Sequence, residues 1–406
     1  MIEDIKNAGL NINFNELARE AFIMACNIAM DTSAELLAYI DEQIGDNVDP
    51  KRYKFKKMVK KTILTPFGDL TFERAYYLDR QKDEYVYLLD EFLNIELDGK
   101  VTKDVLLRMV DGVASMSYTK CVDDLKEKNI ETSVGTVRNR MADFLKKVNE
   151  SEAQRVEKHI NSELSGKKEA SVIFEEKDGI YLKIKVLKKR EMKVAKVYEG
   201  WEKVSPGCNE YRTIGTQYYA GYADVEEFDA LVNSGIAVKY NVWKIKKRII
   251  NGDGASWISS ECEDDADCVY QLDLFHIYSK ASKKVKDEKS RKELHKLIKE
   301  SKWDELIAKS EELWEQACEE EKEKLFELYS YYSNHREALK RYWEVLPPDI
   351  LKNIPNGEVR GMGTMESSIH NTLADRMKRV AWSEDGADAV AKSLSLIHSE
   401  GGDSEQ

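Results

Sequence analysis

Cysteine, proline and histidine are scarce in this sequence. Its 406 residues include six of each, and no two cysteines form a Cys-x-x-Cys pair. Cys262 and Cys268 stand closest together, but no His pair follows them to complete a zinc site. We therefore expect no structural metal at the cysteines, and we expect all six thiols to be reduced.

The sequence also lacks a long apolar run and a secretory leader. No eighteen consecutive residues are apolar, which predicts no membrane span. Residues 1–17 are acidic and amphipathic, without the basic start and apolar centre of a signal peptide. We expect a cytoplasmic protein with no membrane partner. Its length and its 42% of hydrophobic residues are enough for about two or three domains with real cores.

The charge balance argues against a simple basic nucleic-acid coat protein. The formal net charge is −12, whereas such proteins carry a basic excess. Basic residues are nevertheless gathered in three runs, at 51–61, 183–196 and 239–248, and acidic residues collect at 302–325. One basic run is usually a solvated face, but three in an acidic chain indicate that charge is sorted between surfaces.

The N-terminal part combines helical and strand patterns. Residues 1–48 carry apolar side chains at three-and-four spacing, which predicts one or two helices that start at Asn13 or Asn15. Two strands follow, joined by a tight turn at Pro66–Asp69. Proline presets one turn dihedral there, and Gly68 permits a positive φ.

Several short helices are predicted between residues 102 and 148. Ser117 and Ser133 are suitable N-caps, and the two helices that they begin are separated by a short turn, which is a helix-turn-helix pattern. Arg138 and Arg140 lie early in the second helix, where side chains reach base edges and phosphates. A helical hairpin with Arg on its solvated face fits this segment equally well.

From about residue 168 the composition is typical of strands, and it gives way to an almost wholly helical stretch that ends near 345. A Pro-rich break and one amphipathic helix follow. This order predicts an α/β core interrupted by a helical insertion, together with all-α parts. The expected segments are a helical and small-hairpin region, a helix-turn-helix-like DNA-binding region, the first part of the core, the insertion, the C-terminal core helix and a disordered tail, at 1–100, 101–165, 166–280, 281–350, 351–395 and 396–406.

Four short motifs carry acidic side chains where an α/β core builds a site. Asp178 lies in EEKDGIYLKI, a pattern that predicts a strand, an Asp-Gly turn and a second strand. Asp253 lies between two glycines in NGDGASWI, at the end of an apolar strand. Asp273 and His276 lie in LDLFHIY, and Glu366 lies near the start of the last helix.

Three converging carboxylates would repel one another unless cations neutralise them. We expect Asp178, Asp253 and Glu366 to hold two Mg²⁺ or Mn²⁺ ions, because hard divalent cations take oxygen ligands and a pair of them can activate an attacking oxygen and stabilise a leaving one. The flanking glycines would let metal and phosphate approach Asp253 closely. Taken singly, Asp178 also fits an ordinary hairpin turn, and Glu366 fits an acidic residue at a helix N-terminus.

Six segments together resemble the ISLre-type insertion-sequence transposases, which are also catalogued as an uncharacterised transposase-like family. They are FGDLTFERAYY, LLDEFLNI, SYTKCVDDL, NGDGASWI, LDLFHIY and GMGTMESSIHNTLADRMKRVAWS, and they extend from about residue 60 to about residue 390. The most specific parts are GDGASWI, the Asp-x-x-His of LDLFH, and the Glu-Ser and Arg-Met-Lys of the last segment.

The resemblance implies a Mutator-like DDE transposase with an RNase H-like core and a helical insertion before the Glu. It assigns the DDE triad to Asp178, Asp253 and Glu366. Asp273 and His276 match the family's Asp-x-x-His element, and we expect this pair to position DNA or to brace the site.

Around the first acidic residue the sequence departs from the family, which has Glu-x-Asp-Gly followed by Gln. Lys177 stands beside Asp178 here, and no Gln follows. Glu175 or Glu176 could therefore be the first metal ligand instead of Asp178.

The leading hypothesis is a transposase of a bacterial insertion sequence, which cleaves DNA at the element ends and joins the freed 3′ ends to target DNA. Its expected partners are double-stranded DNA and further copies of the chain, in the cytoplasm or at the nucleoid. Two alternatives remain open, namely a transposase-derived DNA-binding protein that no longer cuts and a metal-dependent nuclease that cuts without joining. Contacts with DNA phosphates would make binding salt-sensitive. We expect them at Arg138, Arg140, Arg376 and Lys378 and at two positions of the third basic run, position 245 and Lys247.

Overall fold

The structure, a computed structural model, describes residues 13–95, 97–185, 189–263, 265–364, 369–378 and 380–399. The chain divides into two compact units, Met1–Phe144 and Leu145–Gln406. The division falls inside a long helix, whereas the sequence predicted boundaries near residues 100 and 165. Each unit has a sheet and a hydrophobic core of its own.

The first unit contains a five-stranded sheet of order β3-β2-β1-β5-β4. The turn between its first two strands contains Pro66, and Gly68 follows with a φ of +124°. The turn predicted from these two residues is confirmed. Glycine suits the second position because a positive φ favours it. The strands are β1 (Tyr53–Thr65), β2 (Gly68–Asp79), β3 (Glu84–Val86), β4 (Leu97–Asp98) and β5 (Val101–Thr102).

A single long helix, α1 (Phe14–Asn47), precedes this sheet. It begins as predicted, because the side chain of Asn13 accepts a hydrogen bond from the backbone N–H of Asn15 at 3.0 Å. Its C-terminal half packs on the sheet, whereas large apolar side chains of its N-terminal half are exposed. By length and composition α1 could cross a membrane, but core helices and signal sequences meet the same criterion. The expected absence of a membrane partner therefore stays a prediction.

Four further helices follow in the sequence, and the last of them crosses the division between the units. They are α2 (Leu88–Phe92), α3 (Lys103–Ser115), α4 (Tyr118–Glu127) and α5 (Val134–Ile160). Both predicted caps are confirmed. Ser117 accepts a hydrogen bond from Lys120 N at 3.3 Å, and Ser133 accepts one from Thr136 N at 3.0 Å. The two helices joined by a short turn are present, and their role in DNA binding stays a prediction.

The second unit is built on a five-stranded mixed sheet of order β10-β7-β6-β11-β12, beside a two-stranded sheet of β8 and β9. β10, β7 and β6 are antiparallel to one another in turn, and β6, β11 and β12 are parallel. The strands are β6 (Val172–Leu182), β7 (Arg190–Tyr198), β8 (Gly200–Lys203), β9 (Tyr211–Ile214), β10 (Gln217–Gly221), β11 (Lys247–Gly252) and β12 (Cys268–Leu272).

The Asp-Gly step in the first of these strands is not a turn. β6 continues through it, and Asp178 and Gly179 pair with Val194 and Lys193 of β7. The hairpin turn predicted at this step was wrong. An Asp-Gly pair is compatible with a strand when the neighbouring strand satisfies its backbone hydrogen-bonding groups.

Helices cover both faces of this sheet. α6 (Val225–Lys239) packs on one face. Residues 342–362, which follow the inserted helical block, pack on the other face. The inserted helices between β12 and that segment enclose a separate core around Leu294, Leu306 and Tyr332. The helices are α6 (Val225–Lys239), α7 (Ser256–Ser259), α8 (Leu274–Lys284), α9 (Glu288–Lys299), α10 (Trp303–Glu315), α11 (Glu319–Asn334), α12 (Arg336–Leu339), α13 (Tyr342–Val345), α14 (Pro348–Leu351), α15 (Ile369–Met377) and α16 (Glu384–His398).

The C-terminal end contains more regular structure than predicted. α16 includes residues 396–398, for which the sequence predicted a disordered tail. Val390 and Leu394 are buried in the same helix, so the helix is held by its apolar face. Residues 400–406 lie outside the described residues, and for them the prediction is not tested.

Two of the six cysteines are joined. Cys262 and Cys268 form a disulfide across the loop that leads into β12, so the expectation of reduced thiols was wrong at these two positions. The loop brings their Cα atoms to 5.0 Å, a separation that a disulfide can bridge. The remaining four cysteines are free.

Candidate active site

A small cleft opens beside the ends of β11 and β12 and the middle of β6. It brings together four of the predicted site residues, Asp178, Asp253, Asp273 and His276. The cleft is lined by Glu176, Lys177, Asp178, Asn251, Gly252, Asp253, Asp273 and His276. Glu366, the third predicted triad residue, lies outside the described residues.

Strand alternation decides which acidic residue of β6 can serve the site. Glu176 pairs in register with Asn251 of β11, so both side chains lie on the face of the sheet that carries the cleft. Glu175 lies on the opposite face, where its carboxylate accepts a hydrogen bond from Arg248 Nε at 2.6 Å. Of the two alternatives to Asp178, Glu176 therefore lines the cleft and Glu175 does not.

Glu176 is buried, and neighbouring groups hold its carboxylate in place. Its Oε1 accepts hydrogen bonds from the Tyr198 hydroxyl at 2.7 Å and from the Thr364 hydroxyl at 2.8 Å. Lys196 Nζ donates to the same Thr364 hydroxyl at 2.7 Å. Burial and the neighbouring Glu176 carboxylate raise the pKa of Tyr198 well above its ordinary value. Thr364 precedes Glu366 by two positions in the chain.

The loop that carries Asp253 is clamped by two tyrosines. The Tyr331 hydroxyl of α11 donates to the Asp253 carbonyl at 2.9 Å, and the Tyr270 hydroxyl of β12 accepts from Gly254 N at 3.0 Å. Gly254 has a φ of +100°, and a Cβ there would stand 2.9 Å from the Tyr331 ring. Glycine is therefore required by backbone conformation and by the close approach of the tyrosine.

Asp273 is held as a structural cap. It is buried at the N-terminus of α8, where one oxygen accepts from Phe275 N at 2.7 Å and the other from Asn251 Nδ2 at 2.5 Å. Gln271 in turn donates to Asn251 at 3.0 Å. Burial, and then the charge of Glu176, raise the pKa of the Asp273 carboxyl. This geometry agrees with bracing of the site, which is one of the two roles expected for Asp273.

The donor chemistry of the cleft suits a hard divalent cation. Glu176, Asp178 and Asp253 offer carboxylate oxygens, the ligands that Mg²⁺ and Mn²⁺ prefer. Burial first, and then the nearby Glu176 charge, raise the pKa of Asp273, and a cation beside these carboxylates would favour their charged forms. Within the described ranges, no three acidic, His or Cys side chains are already arranged to hold an ion. A complete site would need a further ligand or a small rearrangement.

A buried ionic cluster lies under the opposite face of the sheet. Lys177 is fully buried; its ammonium donates to Asp229 at 2.8 Å and contacts Glu261. Arg248 joins Glu175 to Glu261. Burial opposes the charge of Lys177, but the surrounding carboxylates outweigh it, and the pKa of Lys177 is raised. β6, which carries Glu176 and Asp178, is therefore held in place by paired charges on the face opposite the cleft.

The structure distinguishes among the predicted phosphate contacts. Arg138 is exposed on α5, and Lys378 is exposed after α15. Arg140 is largely covered and pairs with Asp143 at 2.9 Å. Lys247 pairs with Asp267 at 2.9 Å, so its charge is already balanced within the sheet edge.

The two remaining predicted contacts lie at positions 245 and 376. Position 245 is Ile245, an uncharged residue that packs against the α6 core. Its assignment as a phosphate contact was wrong; the basic residues on either side are Lys244 and Lys246. Arg376 lies over the Trp382 ring, 4.9 Å from its centroid, so at least part of its role is packing.

Several residues of the site were missed by sequence reasoning. Alternation along β11 could have placed Asn251 on the same face as Ile249, and alternation along β12 could have done the same for Gln271. No local pattern marks Tyr331, because it meets Asp253 from 78 positions further along the chain.

A sequence model of an uncharacterised protein family, UPF0236, matches residues 7–406. The chain belongs to this family. Among its UPF0236 relatives is protein TTE2489 of Caldanaerobacter subterraneus subsp. tengcongensis, which is 27% identical over 98% of this chain and 81% of the relative. A second relative from that organism, whose name joins the designations TTE0610, TTE0881, TTE1053 and TTE2432, is 27% identical over 98% of this chain and 80% of its own length.

A third relative of the same organism is named by a series of designations from TTE0033 to TTE2212, and it is 27% identical over 99% of this chain and 81% of its own length. The names of these UPF0236 proteins state no activity. Membership of the UPF0236 family is therefore established.

Proposed function

We propose that this UPF0236 chain is a metal-dependent DNA transposase of the ISLre type, with an RNase H-like core. The observation that carries the proposal is the cleft beside the ends of β11 and β12, which is lined by Glu176, Asp178 and Asp253. The sheet has three antiparallel strands continued by two parallel ones, in the order β10-β7-β6-β11-β12, and this order supports the proposed RNase H-like core. The helical block after β12 supports the expected insertion.

The names of the relatives give independent support. One UPF0236 protein of Caldanaerobacter subterraneus carries eleven locus designations in a single organism, and another carries four. Many copies of one protein within one genome are what a mobile element produces, because each transposition adds or moves a copy.

In the proposed reaction, Asp253 and either Glu176 or Asp178 would hold divalent ions, together with Glu366 from outside the described residues. Two such ions would activate the attacking oxygen and stabilise the leaving oxygen of a phosphodiester. Asp273 holds Asn251 and caps α8, so it keeps the floor of the cleft in place. Water would attack the phosphorus at the element end and break its bond to O3′, which leaves a 3′-hydroxyl on one strand segment and a 5′-phosphate on the other. That hydroxyl would then attack a phosphodiester of target DNA, forming a new phosphodiester and displacing a 3′-hydroxyl of the target strand.

The first experiment is strand nicking of a plasmid that carries the DNA flanking this gene on both sides. The wild type should nick with Mg²⁺ or Mn²⁺ and stop when a chelator is added. Asp253→Asn should lose about a thousandfold in rate, because a metal supplies several kcal/mol of transition-state stabilisation. Glu263→Gln, an exposed acidic residue nearby, is the matched control and should nick normally.

A paired comparison identifies the first ligand on β6. Glu176→Gln and Asp178→Asn are assayed for nicking and for DNA binding, and the ligand is the residue whose loss abolishes nicking while binding persists. Binding without nicking in every variant and in the wild type would instead favour a non-cutting DNA-binding descendant. Nicking without joining of the freed ends would favour a nuclease.

A further inference from the structure

Trp243 is the most exposed large hydrophobic side chain of the described residues, with 85% of its surface accessible. It lies in the short helical turn Val242–Lys244, where the Asn241 side chain accepts a hydrogen bond from Trp243 N at 3.2 Å. The turn is tied to the segment before β6, because Asn241 N donates to the Lys168 carbonyl at 2.8 Å. A bulky aromatic ring is therefore presented to solvent from a well-supported backbone.

Two cations follow Trp243 closely in the chain. Lys244 and Lys246 are exposed, and among the described residues neither has an acidic partner within salt-bridge distance. Their neighbour Lys247 is paired with Asp267, and many lysines elsewhere in the chain are paired as well. The positive charge beside Trp243 is thus available to a ligand.

A cleft of about 440 Å³ adjoins the two lysines. Its walls include Glu169, Glu199, Lys244, Lys246, Asn353 and Pro355. The Glu199 charge is already balanced, because its carboxylate accepts from Lys168 Nζ at 2.6 Å and from the Tyr240 hydroxyl at 2.8 Å. Counting Lys168, Lys244 and Lys246 against Glu169 and Glu199 leaves one net positive charge. A volume of this size suits a small organic group.

We propose that Trp243, Lys244 and Lys246 form a binding site for single-stranded DNA, in which an unpaired base stacks on Trp243 and the adjoining phosphates bind the lysines. An exposed aromatic ring close to cations is the combination that such sites use, since every base offers a π-face and every nucleotide a phosphate. The choice of DNA as the ligand rests on the proposed function.

The proposed DNA site is separate from the candidate active site. It lies before the first residue of β11, whereas Asp253 follows the last, and seven residues of extended chain correspond to about 23 Å. That distance is about seven steps of base-pair rise. The site would therefore hold a strand at some distance from the bond that is cut, as an opened end or displaced strand requires.

The test is binding of the full chain to a labelled oligodeoxythymidylate of about twelve nucleotides, within the size range of single-strand sites. Trp243→Ala should weaken binding by about tenfold, and Trp243→Phe should keep most of the affinity because the ring remains. The double variant Lys244→Gln/Lys246→Gln should lower the slope of log affinity against log salt by about 1.4, since each single-strand phosphate contributes about 0.7.

Matched controls are Phe92→Ala, another exposed aromatic residue, and Lys292→Gln/Lys296→Gln on the exposed face of α9. The proposal is overturned if Trp243→Ala binds the oligonucleotide like the Phe92 control. It is also overturned if Trp243→Ala changes the oligomeric state in sedimentation and leaves DNA affinity alone, because the ring would then belong to a protein interface.

The same preparations are assayed for nicking, which separates the two proposals. Nicking by the wild type with unchanged oligonucleotide binding in Trp243→Ala removes the DNA site and leaves the proposed function. Trp243-dependent binding without nicking leaves the DNA site and removes the enzyme. Absence of both nicking and DNA binding in the wild type removes both.

Discussion

At the scale of single residues, adjacent acidic side chains on one strand have opposite environments. Glu176 faces the cleft with Asp178, whereas Glu175 faces α6 and belongs to the buried ionic cluster. Lys177 lies on the same side as Glu175 and balances it. Its presence beside Asp178 is therefore accounted for by charge pairing on the face of the sheet opposite the cleft.

Replacing the buried lysine tests this account. Lys177→Met should lower the free energy of unfolding by about 3–5 kcal/mol, because it removes one of the cations that balance the buried carboxylates. The measurement is a urea titration followed by tryptophan fluorescence. Lys183→Met, an exposed position at the end of the same strand, should change stability by no more than about 0.5 kcal/mol. Equal stability of the two variants would mean that the cluster does not anchor β6.

At the scale of elements, the inserted helical block does more than enclose its own core. Through Tyr331, α11 holds the carbonyl of Asp253, and through Arg341 the following segment donates to the Leu272 carbonyl at 2.7 Å. Arg341 is buried, and burial lowers its pKa to about 10. The insertion thus fixes the ends of β11 and β12, where the candidate ligands begin.

Removal of one hydroxyl tests the clamp between α11 and the Asp253 loop. Tyr331→Phe keeps the ring but loses the hydrogen bond to the loop, so stability should fall by about 1 kcal/mol. As a positioning residue, Tyr331 should also affect metal use: nicking should fall about tenfold, and the Mg²⁺ concentration for half-maximal nicking should rise. Tyr329→Phe on the same helix is the control. A stability loss with an unchanged Mg²⁺ requirement would reduce Tyr331 to a purely structural role.

At the scale of the whole molecule, the two units can be observed separately. All seven tryptophans, at positions 201, 243, 257, 303, 314, 343 and 382, lie in the second unit, Leu145–Gln406. Tryptophan fluorescence therefore reports the second unit alone, whereas circular dichroism reports both. In the first unit Arg52 forms a two-point contact with Asp79, with its closest approach at 2.8 Å.

Acid titration should affect the two signals differently. The hydrogen bond from Arg52 lowers the pKa of Asp79 to about 2. The folded-state pKa is thus below the unfolded value of about 3.9. The stabilisation that the ionised Asp79 carboxylate gives is present above about pH 4 and is lost as the pH falls through about 2. Asp79→Asn should remove this part of the pH dependence from circular dichroism and leave the tryptophan transition unchanged.

The control for this measurement is Asp69→Asn, an exposed residue of β2, which should leave both transitions as they are in the wild type. If Asp79→Asn shifts the circular dichroism and tryptophan transitions together, the two units unfold as one cooperative body, and their separation is only geometric.

The sequence by itself determined the features that depend on near neighbours along the chain. The caps at Asn13, Ser117 and Ser133 were predictable because a capping oxygen binds backbone groups two or three residues away. The turn before Gly68 and the strand that delivers Asp253 were predictable for the same reason, since dihedral preference and alternation are local.

Only the tertiary structure decided what depends on partners distant in the chain. It placed Asp178–Gly179 inside a strand because β7 pairs with both residues, and it balanced Lys247 with Asp267 from a neighbouring loop. It chose Glu176 over Glu175 for the cleft and brought Tyr331 to Asp253. Register and long-range packing set these contacts, and a change of register by one residue would turn every side chain of β6 to the other face.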